Sequence, residues 1–196
     1  QRFNPFGTAT AYSTSVIGGS GYFDGSGDYL VTSGTGSFNL RSTFTVEFWT
    51  YLGAQDGCFI SSDANNNFYI EISPPNGKLF VGDGVINTLD ASIPQLNFWI
   101  HIAVTFDGTT YRLFYNGVLQ SSSTNLLLNT TVSAFRVGIK NNGTAPIKGY
   151  ISDVRVLVGT ALYTSAFTPP TAPLTAITNT ALLLNMTNGA IFDNAM

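Results

Sequence analysis

Apolar and polar positions alternate most regularly between residues 98 and 120. Every second side chain from Phe98 to Phe106 is large and apolar, which is the period that a strand needs to bury one face. The turn dipeptides Asp107-Gly108 and Asn116-Gly117 follow, and each leads into another short alternating run. This stretch predicts an antiparallel meander of three strands.

Similar runs, separated by turn residues, continue along most of the chain. We predict strands over Gly21–Asp24, Tyr29–Val31, Thr43–Leu52, Cys58–Ser61, Asn67–Ile72, Lys78–Val81, Trp99–Phe106, Tyr111–Tyr115, Val118–Gln120, Ser133–Ile139, Lys148–Val156 and Thr180–Met186. A helical period is absent from the sequence, apart from one expected turn near Thr160–Tyr163. The pattern therefore indicates an all-β domain.

Five motifs in a fixed order carry a family resemblance. They are F-D-G-S-G-D-Y-L at Phe23, F-T-V-E-F-W at Phe44, W-I-H-I-A-V-T-F-D at Trp99, L-F-Y-N-G at Leu113 and G-Y-I-S-D-V-R-V at Gly149. From Gly19 to Thr168 the chain resembles the laminin G-like branch of the concanavalin A-like jelly rolls. The resemblance implies a two-sheet antiparallel jelly-roll β-sandwich, a fold that hosts lectins, adhesion modules and enzymes alike.

The 196 residues suit a single large β domain. We expect a leader or linker over residues 1–17 and the jelly roll over residues 18–166. We expect residues 167–196 to form a proline-rich connector and a C-terminal strand that packs on the same sandwich. The unit resembles modules of virion fibres and bacterial surface proteins, so we expect it to be a piece of a longer polypeptide.

The charge content is low, and it excludes several classes of partner. Charged residues make up 10% of the chain, the net charge is −3, and the eight Lys and Arg are scattered. No basic cluster follows a phosphate backbone, which argues against nucleic acid. No apolar stretch is long enough to insert into a membrane. A neutral polar surface favours an extracellular or virion-surface location.

Two residue types occur once each. Cys58 can form neither an intramolecular disulfide nor a thiolate cluster, so we interpret it as a small buried hydrophobe. His101 lies in the middle of a predicted strand. We interpret it as a structural histidine, hydrogen-bonded across strands, rather than as the base of a catalytic triad.

Catalysis by this fold class would need two carboxylates beside the scissile bond. The chain has only two glutamates, Glu47 and Glu71, and neither has an acidic neighbour two or four residues away. A cross-strand pair would exist only if both project from one face of one sheet. We favour the alternative, two carboxylates on solvated strand faces, and predict no enzymatic activity.

Sugar binding uses aromatic faces together with amides and carboxylates that reach hydroxyl groups. The candidates are residues of the long strands whose side chains alternate with the core residues and therefore point outward, and Trp99 is one of them. We predict ligand contacts by Trp49, Tyr51, Tyr69, Glu47, Glu71 and Asn66.

A structural calcium ion is the cofactor that the resemblance implies. Hard cations bind carboxylate and carbonyl oxygens, and the candidate ligands are Asp24, Asp28 and Asp153. The alternative is that turn aspartates cap their own backbone amides. For Asp153, an ion pair with Arg155 or Arg136 is also open.

These observations favour a non-enzymatic carbohydrate-recognition or adhesion module, part of a virion fibre such as a tail fibre or of a cell-surface protein. Its partners would be a glycan or other virion or surface protein chains. Two alternatives stay open: a purely structural virion or decoration module that binds protein neighbours, and a polysaccharide-degrading enzyme of the same fold.

Overall fold

A computed structural model describes residues 18–32, 38–63, 67–83, 87–125, 131–186 and 191–193. The proposed leader, residues 1–17, and Asn66 lie outside this part of the chain. The strands are β1 (Gly21–Asp24), β2 (Leu30–Val31), β3 (Phe38–Asn39), β4 (Phe44–Leu52), β5 (Gly57–Ser62), β6 (Tyr69–Ser73), β7 (Lys78–Gly82), β8 (Asn87–Ser92), β9 (Trp99–Phe106), β10 (Tyr111–Tyr115), β11 (Val118–Ser123), β12 (Thr131–Val132), β13 (Phe135–Val137), β14 (Lys148–Val158), β15 (Thr180–Met186) and β16 (Ile191–Asp193).

Within the described residues, the strands form two antiparallel sheets and a short ribbon. The larger, eight-stranded sheet has the order β11-β10-β9-β4-β14-β15-β16, and β1 also pairs with β14. The smaller, six-stranded sheet has the order β2-β13-β5-β6-β7-β8, and β3 pairs with β12. The predicted all-β jelly-roll sandwich is confirmed.

β1 and β15 both pair with the same side of β14, inside the eight-stranded sheet. β1 pairs with the first part of β14, where Gly21 lies opposite Ile151. β15 pairs with the second part, where Val154 lies opposite Leu184. The opposite edge of β14 pairs with β4. Two strands from distant parts of the sequence therefore lie end to end beside β14.

The core between the sheets follows the predicted alternation. Ile100, Ile102, Val104 and Phe106 of β9 are buried in one hydrophobic cluster, together with the even-numbered apolar residues of β4. Burying such side chains is the main favourable term in folding, about 25 cal/mol for each Å² of apolar surface. The outward phase is buried as well: Thr45, Glu47, His101 and Thr105 are inaccessible to solvent.

A long extended segment explains this second layer of burial. Residues 159–179, which we call the strap, run across the outer face of the eight-stranded sheet. Backbone and hydroxyl hydrogen bonds fasten it there: Leu162 N–H to Thr45 Oγ1 (2.9 Å), Thr105 Oγ1 to the Tyr163 carbonyl (2.8 Å), Phe167 N–H to the Gly117 carbonyl (3.0 Å) and Leu174 N–H to Asp153 Oδ1 (3.3 Å). Its prolines lack the N–H groups that a sheet ladder needs, so the strap lies on the sheet without joining it.

The strand predictions are mostly confirmed, and the differences are local. β3, β8, β12 and β16 were not predicted from the sequence. The helical turn expected near Thr160–Tyr163 is wrong, because those residues belong to the extended strap. A single 3₁₀ turn, Pro74–Asn76, occurs in the described part of the chain. Prolines at its first positions favour that start.

Candidate functional site

The predicted ligand residues divide between two opposite surfaces. Glu47, Trp49 and Tyr51 project from β4 on the outer face of the eight-stranded sheet. Tyr69 and Glu71 project from β6 on the outer face of the six-stranded sheet, since Ile70 and Ile72 between and beside them face the core. The sandwich therefore separates the two groups.

This separation removes the carboxylate pair that a glycosidase would need. Packed sheets lie about 10 Å apart, and side chains on their outer faces are farther apart still. Retaining and inverting enzymes hold their two carboxyl groups about 5–9.5 Å apart. Glu47 and Glu71 therefore do not form the cross-strand carboxylate pair that a hydrolase of this fold would need.

Glu47 is the centre of a buried network under the strap. Its Oε1 accepts hydrogen bonds from Arg155 Nε (2.8 Å) and Nη2 (2.5 Å). Its Oε2 accepts from His101 Nε2 (3.1 Å) and from the Tyr163 hydroxyl (2.9 Å). Burial by itself raises the pKa of Glu47, but the His101 hydrogen bond and the Arg155 charge outweigh it and hold the pKa below its usual value.

These contacts correct the roles predicted for Glu47 and Trp49. Glu47 does not lie on a solvated face, and all of its strong acceptor positions are used by the protein. Trp49 is only 9% exposed, because the strap is fastened on both sides of it, at His101 and at Asp153. Neither side chain can contact a ligand in this arrangement. The structural interpretation of His101, hydrogen-bonded across strands, is confirmed.

On the other sheet, Tyr69 and Glu71 are linked by one lysine. The Lys140 ammonium lies 4.6 Å from the centre of the Tyr69 ring and 2.5 Å from Glu71 Oε2. Tyr69 is 7% exposed, so this cation–π contact covers the face that a sugar would need. Cys58 is buried beside this group, and burial raises the pKa of its thiol, with the Glu71 charge adding to the shift. The interpretation of Cys58 as a buried hydrophobe is confirmed.

The three aspartates predicted for calcium do not converge. Asp24 Oδ1 accepts the Ser26 N–H (2.6 Å), and Asp28 Oδ2 accepts the Asp24 N–H (3.1 Å), which is how turn aspartates cap a backbone. Asp24 pairs with Lys148, five residues from Asp153, which is about 16 Å along a strand. Among the described residues, no three acidic, His or Cys side chains are grouped as a metal would require.

Asp153 instead accepts hydrogen bonds from the protein. Asn185 Nδ2 (2.6 Å), the Ser152 hydroxyl (3.0 Å) and the Leu174 N–H surround its carboxyl group. Burial raises its pKa to about 6, although these hydrogen bonds and the Arg155 charge oppose the shift. The alternative of an ion pair with Arg155 or Arg136 is not realised, since Arg155 pairs with Glu47 and Arg136 with Asp63. Hydrogen-bond donors, rather than further oxygen ligands, surround the Asp153 carboxyl group. Calcium binding at Asp153 stays a prediction.

Beyond the strap, four aromatic residues lie side by side across four strands. Trp99 is opposite Tyr51, Tyr51 is opposite Tyr150, and Tyr150 is opposite Tyr22. We call these four residues the aromatic cluster. They share the outer face, because Ile100, Ile151 and Phe23 next to them point into the core.

The rings of the aromatic cluster contact one another and remain partly accessible. Ring centres are separated by 5.9 Å for Trp99 and Tyr51, 6.1 Å for Tyr51 and Tyr150, and 5.0 Å for Tyr150 and Tyr22. Trp99 and Tyr150 are two strands apart, yet their rings are 6.4 Å apart, so they lean together over Tyr51. Tyr22 is 56% exposed, and the other three are partly exposed.

Two different borders enclose the aromatic cluster. On one side lie the buried residues His101, Trp49 and Ser152, under the strap. On the other side lie residues 97, 53 and 148, joined by hydrogen bonds from Asn97 N–H to the Leu52 carbonyl and from Gly53 N–H to the Lys148 carbonyl, both 2.9 Å. Asp24 follows, opposite Lys148. The cluster thus has an apolar floor and one polar border.

Comparison with known proteins places the chain in a family. The family model described as Concanavalin A-like lectin/glucanases superfamily, Laminin_G_3, matches residues 24–165. The chain belongs to this family. No curated protein matches it in sequence.

Several solved structures share the fold of this laminin G-like chain. A candidate carbohydrate-binding protein of Bacteroides ovatus has a TM-score of 0.64 at 20% identity, over 91% of this chain and 56% of that one. A Limulus polyphemus pentraxin has 0.58 at 17%, over 78% and 80%. Domains LG4-5 of the mouse laminin α1 chain have 0.57 at 17%, over 79% and 48%. The laminin G-like chain thus spans about half the length of the first and third of these.

The sequence pointed to part of the aromatic cluster. Tyr51 was predicted as a ligand contact and Trp99 was named beside it, but Tyr150 and Tyr22 were missed. Their outward phase was readable from the buried Ile151 and Phe23 that flank them. Their position beside Tyr51 depends on strand register, which cannot be read from the sequence of this laminin G-like domain.

Among the described residues, no helix is long and apolar enough to cross a membrane.

Proposed function

We propose that this laminin G-like domain is a non-catalytic carbohydrate-recognition module of a virion-fibre or cell-surface protein, and that the aromatic cluster is its binding surface. The observation that carries the proposal is the cluster itself: four partly exposed aromatic residues in register on the part of the sheet that the strap leaves open. Aromatic rings offer a large apolar area with little conformational freedom to lose, and Tyr and Trp add polar groups at the rim.

Three further observations support it. The border of Asn97, Lys148 and Asp24 supplies amide, ammonium and carboxylate groups beside the rings, the combination that positions hydroxyl groups. The Bacteroides ovatus protein of the same fold is described as a carbohydrate binder. The charged fraction of 10% suits a surface outside the cell. A non-catalytic role agrees with the placement of Glu47 and Glu71 on opposite sheets.

The test is binding of the folded domain to a glycan array in calcium and again in EDTA. Tyr22→Ala removes one exposed ring of the cluster. Tyr29→Ala is its matched control, since Tyr29 is 48% exposed, directly precedes β2 of the other sheet and contacts Arg136. We expect Tyr22→Ala and Trp99→Ala to weaken binding while Tyr29→Ala binds as the unmodified domain does. Loss of binding in EDTA would place calcium at the site.

An absence of glycan binding by the folded domain would overturn the proposal. It would favour the structural alternative, in which the aromatic cluster packs against a neighbouring protein chain. In that case, the same Tyr22→Ala variant should fail to assemble with the parent fibre or surface protein, and Tyr29→Ala should assemble normally.

A further inference from the structure

Gly53 is the one position on the border of the aromatic cluster that carries no side chain. Residues 97, 148 and 24 on either side are Asn, Lys and Asp. Gly53 is exposed and directly follows the end of β4, two residues after Tyr51. The border therefore has a gap next to the ring at the centre of the cluster.

The fold itself does not require glycine at this position. The φ angle of Gly53 is not in the left-handed region, and a Cβ atom there would make ordinary contacts, 3.4 Å from the Lys148 carbonyl oxygen and 3.7 Å from Lys148 Cγ. Gly149, on the neighbouring strand, differs: its φ is 146°, and a Cβ atom would collide with the Tyr51 carbonyl. Backbone geometry explains Gly149 but not Gly53.

The gap also leaves the side of Lys148 open. A Cβ atom on Gly53 would point at the Lys148 stem, and one on Gly25 would lie 3.2 Å from Lys148 Cβ. Two glycines thus flank the lysine. Lys148 forms no ion pair with any residue in the described part of the chain, and Asp24, opposite it, retains Oδ2 for a further contact while Oδ1 binds the Ser26 N–H.

We infer that the gap at Gly53 is where a sugar ring enters the binding site and packs against the Tyr51, Trp99 and Tyr150 rings. The ligand is uncharged. The inference rests on the function proposed above and specifies its ligand. Lys148 donates to hydroxyl groups and Asp24 accepts from them. Asp28 lies next to this border, since its Oδ2 is 3.1 Å from the Asp24 N–H. Two carboxylates beside one lysine give this end of the cluster an excess of negative charge, which disfavours a uronic or sialic acid.

Blocking the gap tests the inference. Gly53→Gln places a side chain in it, and Gly53→Ala adds only one methyl group. On an array of neutral oligosaccharides and their uronic-acid counterparts, we expect the unmodified domain to prefer neutral ligands. Gly53→Gln should reduce the affinity for them by about tenfold or more, and Gly53→Ala by less than about twofold. Thermal unfolding of both variants checks that the fold is retained.

A second variant blocks the gap only after folding. In Gly53→Cys, the new thiol is exposed while Cys58 is buried with a raised pKa, so N-ethylmaleimide should react at residue 53 alone. We expect the folded variant to bind the same neutral oligosaccharides before the reaction and to lose at least about tenfold in affinity after it.

The outcomes separate this inference from the proposed function. If the unmodified domain binds glycans and Trp99→Ala abolishes binding, but the blocked Gly53 variants bind normally, the entry at Gly53 is overturned and the proposed function stands. Preferential binding of uronic-acid oligosaccharides, weakened by salt, would overturn the uncharged ligand. If no glycan on the array binds, both fail.

Discussion

The hydroxyl of Tyr163 donates a 2.9 Å hydrogen bond to Oε2 of Glu47, although 116 residues separate the two in the sequence. This bond ties the strap to the buried network of the eight-stranded sheet. The Tyr163 ring also stacks on Phe167 at 3.6 Å between centres, and Phe167 packs edge-on against His101. The strap is therefore held by a charge-assisted hydrogen bond inside an aromatic group.

Removing the Tyr163 hydroxyl should destabilise the fold measurably. Hydrogen bonds to charged groups contribute about 1.5–3 kcal/mol, and Tyr163→Phe should lower the free energy of unfolding by about that amount in urea titrations. Tyr115→Phe is the matched control, since its hydroxyl donates to a neutral carbonyl, that of Ser92. A Tyr163→Phe effect no larger than the control would contradict the charge assistance.

Breaking the buried ion pair should have a larger effect. Arg155→Met leaves the Glu47 carboxylate buried without its main cation, which typically costs about 3–5 kcal/mol. Glu47→Leu combined with Arg155→Met removes both charges, and we expect the double variant to be more stable than Arg155→Met alone. Urea unfolding of the three proteins gives the comparison. A double variant less stable than Arg155→Met would show that the network contributes more than charge compensation.

Asp153 should make stability depend on pH. Its pKa rises from an ordinary 3.8 to about 6 in the folded protein, so between these values the folded state holds a proton that the unfolded state has released. This contribution to stability is fully present below about pH 4 and is lost as the pH rises through about 6. Asp153→Asn should remove it. Unfolding midpoints of both proteins from pH 4 to 7 provide the measurement, and parallel curves would rule out Asp153 as the source.

Gly117 fixes the strap at the β10–β11 turn. Its φ is 76°, and a Cβ atom there would collide with the Phe167 carbonyl oxygen. The Phe167 N–H donates a hydrogen bond to the Gly117 carbonyl, so the two backbones are in direct contact. Gly117→Ala should therefore loosen the strap and expose Trp49. We expect a red shift of tryptophan fluorescence and faster amide exchange at Phe167. Gly143→Ala, at a comparable φ of 79° but with nothing within 4 Å of a Cβ atom, controls for backbone strain alone.

Local pattern was enough to predict most strands and the face on which each side chain lies. Trp49 and Tyr51 show where that stops, since both lie on the outer face of β4, two residues apart. One is covered by the strap and the other belongs to the aromatic cluster. The difference depends on the path of residues 167–174, more than 110 positions later in the chain, and periodicity carries no information about such a path.

The tertiary contacts of charged residues and the register between strands are two further features that could not be predicted from the sequence. The outward phase of Glu47 was correct, but the solvated face was not, because Arg155 and Tyr163 reach it only through tertiary packing. Tyr150 and Tyr22 became neighbours of Tyr51 through two strand pairings that no local motif encodes. The alternation of apolar and polar residues can therefore identify the aromatic residues on the outer face. Which of them contact one another depends on the order and register of the strands in the sheet.

The shared edge of β14 has a consequence for synthesis on the ribosome. β15 supplies Leu182, Leu184 and Met186 to the core, and the strap immediately precedes it, so both emerge after every other long strand. Until then, we expect the Glu47 and Arg155 charges to be hydrated on an open sheet in which the second half of β14 lacks its β15 partner. We therefore expect burial of the ion pair and completion of the core to occur together, late in folding, because both need contacts between residues far apart in the sequence.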